Sequence, residues 1–283
     1  MFAIDVRDVR KRYGDVEAVA GVSFTVAFGE CLALLGPNGA GKTTITEILE
    51  GYRTPDAGTA TVLEVVPWQA PLAWKARIGI VLQSDRDLGD LTVREAVRHF
   101  AGYYPDPRDP DEVIEAVGLT EKAGKRNDTL SGGQRRRLDV ALGIIGRPDV
   151  LFLDEPTTGF DPQARRDFWT LIDALKVDGT TILLTTHYLD EAEHLADRVA
   201  VIARGRIIAC DTPARIGDRG NAKAIVRWRD GDAHREESTD HPTEFVQRLA
   251  AQFGGEIPEL AIQRPTLEDT YLELIRGDRE ESA

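Results

Sequence analysis

One short run restricts the fold of this chain more than any other: GPNGAGKT, Gly36 to Thr43, lying between the apolar run CLALL and the helical pattern TTITEILEGY. It satisfies G-x-x-x-x-G-K-[ST] and stands where that pattern has a mechanism, after a strand and before a helix. The glycines let the backbone turn its N–H groups inward around phosphate oxygens, and the helix N-terminus adds partial positive charge. Gly36, Pro37, Asn38, Gly39, Ala40, Gly41, Lys42, Thr43 and Thr44 are therefore candidate phosphate-binding residues. Lys42 is directed at β- and γ-phosphates, and Thr43 is a candidate Mg²⁺ ligand.

The surrounding pattern agrees with such a loop. CLALLG, IGIVLQ, VLFLDE, TILLTTH and VAVIARG are short apolar runs that alternate with helical patterns, the layout of a parallel sheet buried between helices. The first forty residues differ. AIDVRDVRKRY and VSFTVAFGE alternate apolar with polar residues, as half-buried antiparallel strands do, and predict a separate β layer. From about residue 84 to 148 helical signals replace strands, which predicts an inserted helical subdomain within a larger first domain of residues 1–217. Residues 218–276 predict a small α/β domain, with AIVRWRDGD a strand and turn, PTEFVQRLAAQF a helix, and RPTLEDTYLELI a helix capped by Thr266 and Asp269. Residues 277–283 form a charged, frayed tail.

Composition removes some alternatives. The chain carries 48 acidic against 35 basic residues, a formal charge of −13, which opposes generic attraction to nucleic acid or an anionic membrane. No apolar run approaches the roughly 20 residues that cross a bilayer, and the N-terminus lacks a secretory pattern, so the expected location is the cytosol. Cys31 and Cys210 both lie in apolar strand-like runs and predict reduced core thiols.

Three further stretches carry candidate chemistry. VLFLDEP delivers Asp154 and Glu155 side by side at the carboxyl end of a strand, where ligands bind open α/β sheets. Strand alternation aims the two carboxylates differently, so Asp154 can serve the Mg²⁺ shell while Glu155 orients or deprotonates a water. The competing reading is an acidic pair capping a helix before Pro156. TILLTTH ends in His187, which is either structural or functional; the functional role requires that it share the crevice with Glu155. In TLSGGQRRRLDVAL, Ser131 and Gln134 satisfy the S-x-x-Q capping box of an amphipathic helix. A cap does not require Gly132 and Gly133 in succession. Arg135 to Arg137 place cations at the positive end of the helix dipole, which is unfavourable unless they are paired or face a polyanion. A solvated arginine face is the other reading.

Taken together, Gly36–Thr43, LSGGQ at Leu130–Gln134 and FLDEP at Phe152–Pro156 stand in the order seen in ABC-family ATPases, and the chain resembles that family over about residues 3–215. The resemblance implies an α/β P-loop ATPase fold with an antiparallel β layer, a mainly parallel core sheet and an inserted helical subdomain. It implies that Tyr13 stacks on adenine and that Gln83 links the γ-phosphate site to a transporter subunit, as both a catalytic residue and a metal ligand. It further implies that Asp161 crosses a dimer interface and that His187 contacts γ-phosphate. Phe160 stands where leucine is usual. In such a family, two copies pack head to tail, and Ser131, Gly132, Gly133 and Gln134 of one complete the ATP site built on Lys42 of the other.

The chain lacks a long coiled-coil insertion and a duplicated cassette, which favours a transporter subunit over repair, chromosome-organising or ribosome-acting relatives. LSGGQRRRLDVALGIIGRPDVLFLDEPTTGFDPQARR and the terminal RPTLEDTYLELI are similar to drug-resistance and antibiotic-export ATPases. Those partner a separate ABC-2 type membrane permease, expected here to dock near residues 84–104 and to export a drug-like or other small molecule or lipid. The alternative is an ATP-driven regulator or assembly factor with no permease.

Overall fold

The computed structural model describes residues 1–81 and 90–280, apart from the side chains of 218, 220, 221 and 279. It divides the chain into two compact units, Met1–Cys210 and Asp211–Ala283.

In the first unit, β1 (Phe2–Tyr13), β2 (Val16–Ala27) and β4 (Ala57–Val62) form an antiparallel sheet in the order β2-β1-β4. Its alternating burial, with Ile4, Val6 and Val9 inside and Arg7 exposed, is what the alternating sequence demands of a sheet with one face on the core. The separate β layer read from the sequence is therefore present.

The core is a six-stranded sheet ordered β5-β6-β7-β3-β8-β9. Its strands are β3 (Cys31–Leu35), β5 (Ile78–Val81), β6 (Val150–Asp154), β7 (Thr181–Thr186), β8 (Arg198–Ala203) and β9 (Arg206–Asp211). β5 to β8 and β3 run parallel. β3 and β7 are buried at every position, which explains their unbroken apolar or threonine sequence. The edge strand β9 is half exposed, and this corrects one expectation: Cys31 is buried, but Cys210 is exposed. An apolar run such as RIIAC fits an edge strand with one open face as well as it fits a core strand.

Among the described residues the same unit holds α1 (Lys42–Leu49), α2 (Leu72–Lys75), α6 (Pro162–Val177) and α7 (Leu189–Leu195), of which α7 packs on β3 and β7. The helical insertion contributes α3 (Val93–Ala101), α4 (Pro110–Ala116) and α5 (Gly132–Ile144). Thr92 caps α3 in a reciprocal box with Glu95, and Asp109 caps α4, so each start carries the side chain its orphan N–H groups need.

In the second unit β10 (Ala224–Asp230), β11 (Ala233–Thr239) and β12 (Ala261–Gln263) form an antiparallel sheet ordered β11-β10-β12. Trp228 packs its ring 5.6 Å from that of Phe245 on α8 (Pro242–Phe253). Thr266 and Asp269 cap α9 (Leu267–Glu280) through bonds of 2.7 to 3.1 Å. The charged stretch after Arg276 is helical as far as Glu280 rather than frayed, because Arg and Glu are good helix formers and the cap has already met the nucleation cost.

Candidate functional site

The strand order does most of the assembly. β7 lies between β6 and β3, with Asp154 opposite Thr185 and Leu35 opposite Thr186. The segments that leave the carboxyl ends of these three strands are thus neighbours: the glycine loop after β3, Asp154–Glu155 after β6, and His187 after β7.

The loop is held by close backbone approaches. A Cβ on Gly36 would lie 2.3 Å from the Ile202 carbonyl oxygen, and one on Gly41, whose φ is 105°, would lie 2.3 Å from that of Ala18. No other residue type fits either position without moving β8 or β2. Gly41 is the N-cap of α1, so the first N–H groups of that helix open into the loop. Lys42 is buried, and its Nζ donates to the carbonyl oxygens of Gly36 at 2.7 Å and Pro37 at 3.2 Å. Burial holds its ammonium below the ordinary lysine value, opposed by Glu155 and then Asp154. Thr43 is exposed, as are Pro37, Asn38 and Gly39; Ala40 is buried and Thr44 half-buried.

Asp154 and Glu155 are both half-buried but differently fixed. The Thr185 hydroxyl donates to Asp154 Oδ1. Glu155 has φ of 46°, in the left-handed region, and its N–H donates to the Thr185 carbonyl at 3.0 Å. A non-glycine residue there carries on the order of 1 kcal/mol or more of strain, a cost found mostly at working sites. The turn swings the Glu155 side chain toward β7, where its Oε1 lies 3.3 Å from His187 Nδ1. The condition that the sequence left open for His187 is met. An acidic pair serving only to cap a helix is excluded by this geometry, since the cap of the following helix α6 is Asp161, which accepts from Gln163 and Ala164 N–H at 2.9 and 2.8 Å.

Ser131 and Gln134 form the reciprocal box at the start of α5, with bonds of 3.1 and 3.3 Å. Gly132 would meet nothing within 4 Å if it carried a Cβ, and Gly133 only ordinary contacts at 3.8 and 3.9 Å. Neither has a positive φ. The arginines are not a solvated face. Arg136 is buried and donates to the backbone oxygens of Asp154 and Pro156, Arg135 donates to Leu130 at 3.2 Å, and Arg137 to Gly118 at 3.3 Å. Each cation is tied to carbonyl dipoles, which offsets the unfavourable helix terminus. Arg136 also fastens the helix after LSGG to the loop carrying Glu155, a role no sequence signal distinguished from its two neighbours.

Tyr13, at the end of β1, is 41 % exposed, with Arg53 and Lys11 cations 5.4 and 5.8 Å from its ring centre. Phe160 is buried edge-on against Phe168 at 6.0 Å, so an aromatic is accommodated beside Asp161. Gln83 and residues 84–89 lie outside the described residues.

A glycine-cradled lysine at a helix start, facing a strand-end carboxylate pair, defines a P-loop nucleoside-triphosphate-binding domain. The ABC transporter family profile matches residues 19–158. The Nod factor export ATP-binding protein I of Rhizobium meliloti (strain 1021) is 42% identical over 96% of this chain and 88% of its own length. A solved ATP-binding subunit of an ABC transporter superposes with a TM-score of 0.73 at 22% identity, covering 96% of this chain and 99% of that one. A dimeric bacterial ABC transporter cassette gives 0.65 at 22%, covering 74% and 98%. The chain belongs to the ABC transporter family, as an ATP-binding and ATP-hydrolysing subunit.

Proposed function

We propose that two copies of this chain pack head to tail and hydrolyse ATP between them to drive export through a separate ABC-2 type membrane permease. One observation carries the two-copy reading: Gly132 and Gly133 occupy the first turn of α5 with no positive φ and no close contact inside the chain. Each leaves the chain about 0.5 to 1 kcal/mol less stable than alanine would, with no return within a single copy. The cost is offset if the turn lies against the phosphates of an ATP seated on Gly36–Thr43 of the other copy, with Ser131 and Gly133 donating to γ-phosphate. Asp161, exposed beyond its capping bonds, lies across the same interface, and Tyr13 stacks on adenine. The dimeric cassette that this chain resembles supports the arrangement.

The chemistry follows from the Glu155–His187 contact. Glu155 orients a water toward the γ-phosphorus and accepts its proton, while His187 holds Glu155 and contacts the γ-phosphate. Lys42, released from the loop carbonyls, takes the phosphate charge. A hard cation that keeps water and phosphate ligands needs only one or two protein oxygens, and the exposed Thr43 hydroxyl and the anchored Asp154 carboxylate fit Mg²⁺. When bound, that ion neutralises charge on the phosphates. Gln83 completes this set in the family pattern.

Export is supported by the names of the relatives, which are described as Nod factor export proteins, and they favour this reading over a regulator without a permease. No helix among the described residues is long and apolar enough to cross a membrane, so the permease supplies the path and the chain sits at the cytoplasmic face. The cargo is a small molecule or lipid. Sedimentation of Glu155→Gln with and without MgATP tests the assembly: doubling of the mass with MgATP is expected, and a monomer at saturating nucleotide would contradict it.

A further inference from the structure

At the end of α1 farthest from the phosphate loop, an acidic side chain sits where an unpaired acid is costly. Glu50 is the C-cap of α1 and only 6% exposed. Its Oε2 is buried without a hydrogen-bond partner. Three effects oppose its charge: burial first, then the carboxylates of Asp154 and Glu47, which together push the carboxyl up to about 8. The negative end of the α1 dipole adds to them. Nothing in the site described above uses this group.

Glu50 lines a cavity of about 220 Å³, and the other walls show what it is shaped for. Tyr52, Phe100 and Tyr104 flank it, with Ile80 behind and Lys75 on the α2 side. Tyr52 is 63% exposed, and the neighbouring Tyr103 67%, so aromatic surface surrounds a buried acid. Gly146 leaves the space that the Tyr104 ring fills, since a Cβ there would lie 2.3 Å from it. Aromatic faces and a carboxyl converge on the same ligand chemistry, a cation on an apolar stem.

We propose that this crevice receives a lysine or arginine side chain from a cytoplasmic segment of the permease, with Glu50 as its counter-charge. The inference rests on the exporter reading and adds to it the residue that recognises the partner. Cytoplasmic loops of membrane proteins carry an excess of lysine and arginine, so a cation is what such a partner offers. Exposed tyrosines around a desolvated centre are the composition of a protein interface rather than of a solvated surface. The cation repays the desolvation of Glu50, which then ionises. Lys75, exposed at the rim, is a cation of this chain's own that lines the cavity and sets a charge barrier that an incoming side chain must pass. Because Glu50 terminates the helix that begins with Lys42 and Thr43, an occupant pushes directly on the element that holds the nucleotide phosphates.

The test places the photo-crosslinking residue p-benzoylphenylalanine at Tyr52 of the full chain expressed with its permease in membranes, and maps the captured peptide. The expected capture is a cytoplasmic segment of a membrane protein bearing a lysine or arginine. Glu50→Gln lowers the yield about tenfold or more, as loss of one partner of a desolvated pair does, and reversing the partner's charge to glutamate does the same. Glu50→Lys combined with that reversal restores capture. Glu50→Gln keeps the shape of the side chain; its melting temperature does not fall below that of wild type and its unstimulated ATPase rate stays at wild-type level, so a fall in capture is not a fall in folding. Capture of a segment without a basic residue, or an unchanged yield in Glu50→Gln, overturns the inference and leaves the exporter reading standing. So does an assembled complex with no capture from Tyr52. Failure of any membrane protein to purify with the chain overturns both.

Discussion

Glu155 Oε1 lies 3.3 Å from His187 Nδ1, joining the turn after β6 to the end of β7. The contact couples the two residues. Glu155→Gln lowers the ATP turnover rate by about 10² or more, the range for losing a positioned general base, while nucleotide binding persists because Lys42 and the glycine loop are untouched. His187→Ala lowers it too. Since they act as a unit, the double variant is barely slower than Glu155→Gln alone. Phosphate release and equilibrium nucleotide binding on the three variants check this. Additive losses would separate the two residues.

Gly132→Ala is expected to make the chain more stable and less active at once. The position is open and helical, so alanine raises stability by about 0.5 to 1 kcal/mol. The added methyl group meets the phosphates of the other copy, and ATPase activity falls about tenfold or more, as when an added group forces a misfit of about 1 Å at a reacting centre. Thermal melting and steady-state ATPase on one preparation suffice. Greater stability with full activity would remove the reason offered for these glycines.

The three arginines after Gln134 separate by their partners. Arg136→Met loses charged hydrogen bonds to the Asp154 and Pro156 carbonyls and costs about 2 kcal/mol, with slower ATP turnover because the loop carrying Glu155 loosens. Arg137→Ala loses one bond at 3.3 Å to Gly118 and stays within roughly 0.5 kcal/mol of wild type. Urea unfolding of each variant tests the contrast.

Glu50 gives a signed dependence on pH. Burial, with the Asp154 and Glu47 carboxylates, pushes its folded carboxyl up to about 8 from the ordinary 4.5, so between those values the folded state holds a proton that the unfolded state releases. Its contribution is neutral below the unfolded value and turns destabilising as pH rises, by about 1 kcal/mol per pH unit, until the folded group ionises. Stability of wild type minus that of Glu50→Gln, followed from pH 5 to 8, is expected to fall along that slope. A flat difference would place the carboxyl elsewhere. Asp154, Glu47 and Lys75 face the same region and are common to both proteins.

Much of this is legible in the amino-acid sequence. Gly36 to Thr43, Asp154 and His187 were readable because each ends an apolar strand, and the ends of parallel strands are where such sheets bind ligands. The boxes at Ser131 and Thr266 were readable because capping is local in sequence. What stayed hidden depends on contacts between distant segments. Arg136 looks like Arg135 and Arg137 until α5 is laid against the end of β6. Cys210 looks like a core thiol until β9 proves to be the sheet edge. Glu50 reads as one more charge at a helix end, and only its burial beside a cavity shared with Ile78, Ile80 and Phe100 sets it apart. Glu155 is intermediate: its chemistry was readable, but the turn that aims it at His187 was not.

The central claim is that each ATP site needs Lys42 from one copy and Ser131 from another, and subunit mixing tests it most directly. Lys42→Ala and Ser131→Arg are each inactive alone. In a mixed dimer, the Lys42 that Ser131→Arg retains meets the Ser131 that Lys42→Ala retains, so one intact site forms. An equal mixture is predicted to recover about a quarter of the wild-type ATPase rate, the share set by random pairing in a two-fold dimer. A mixture no more active than its components would contradict the account, and so would full activity in either variant by itself.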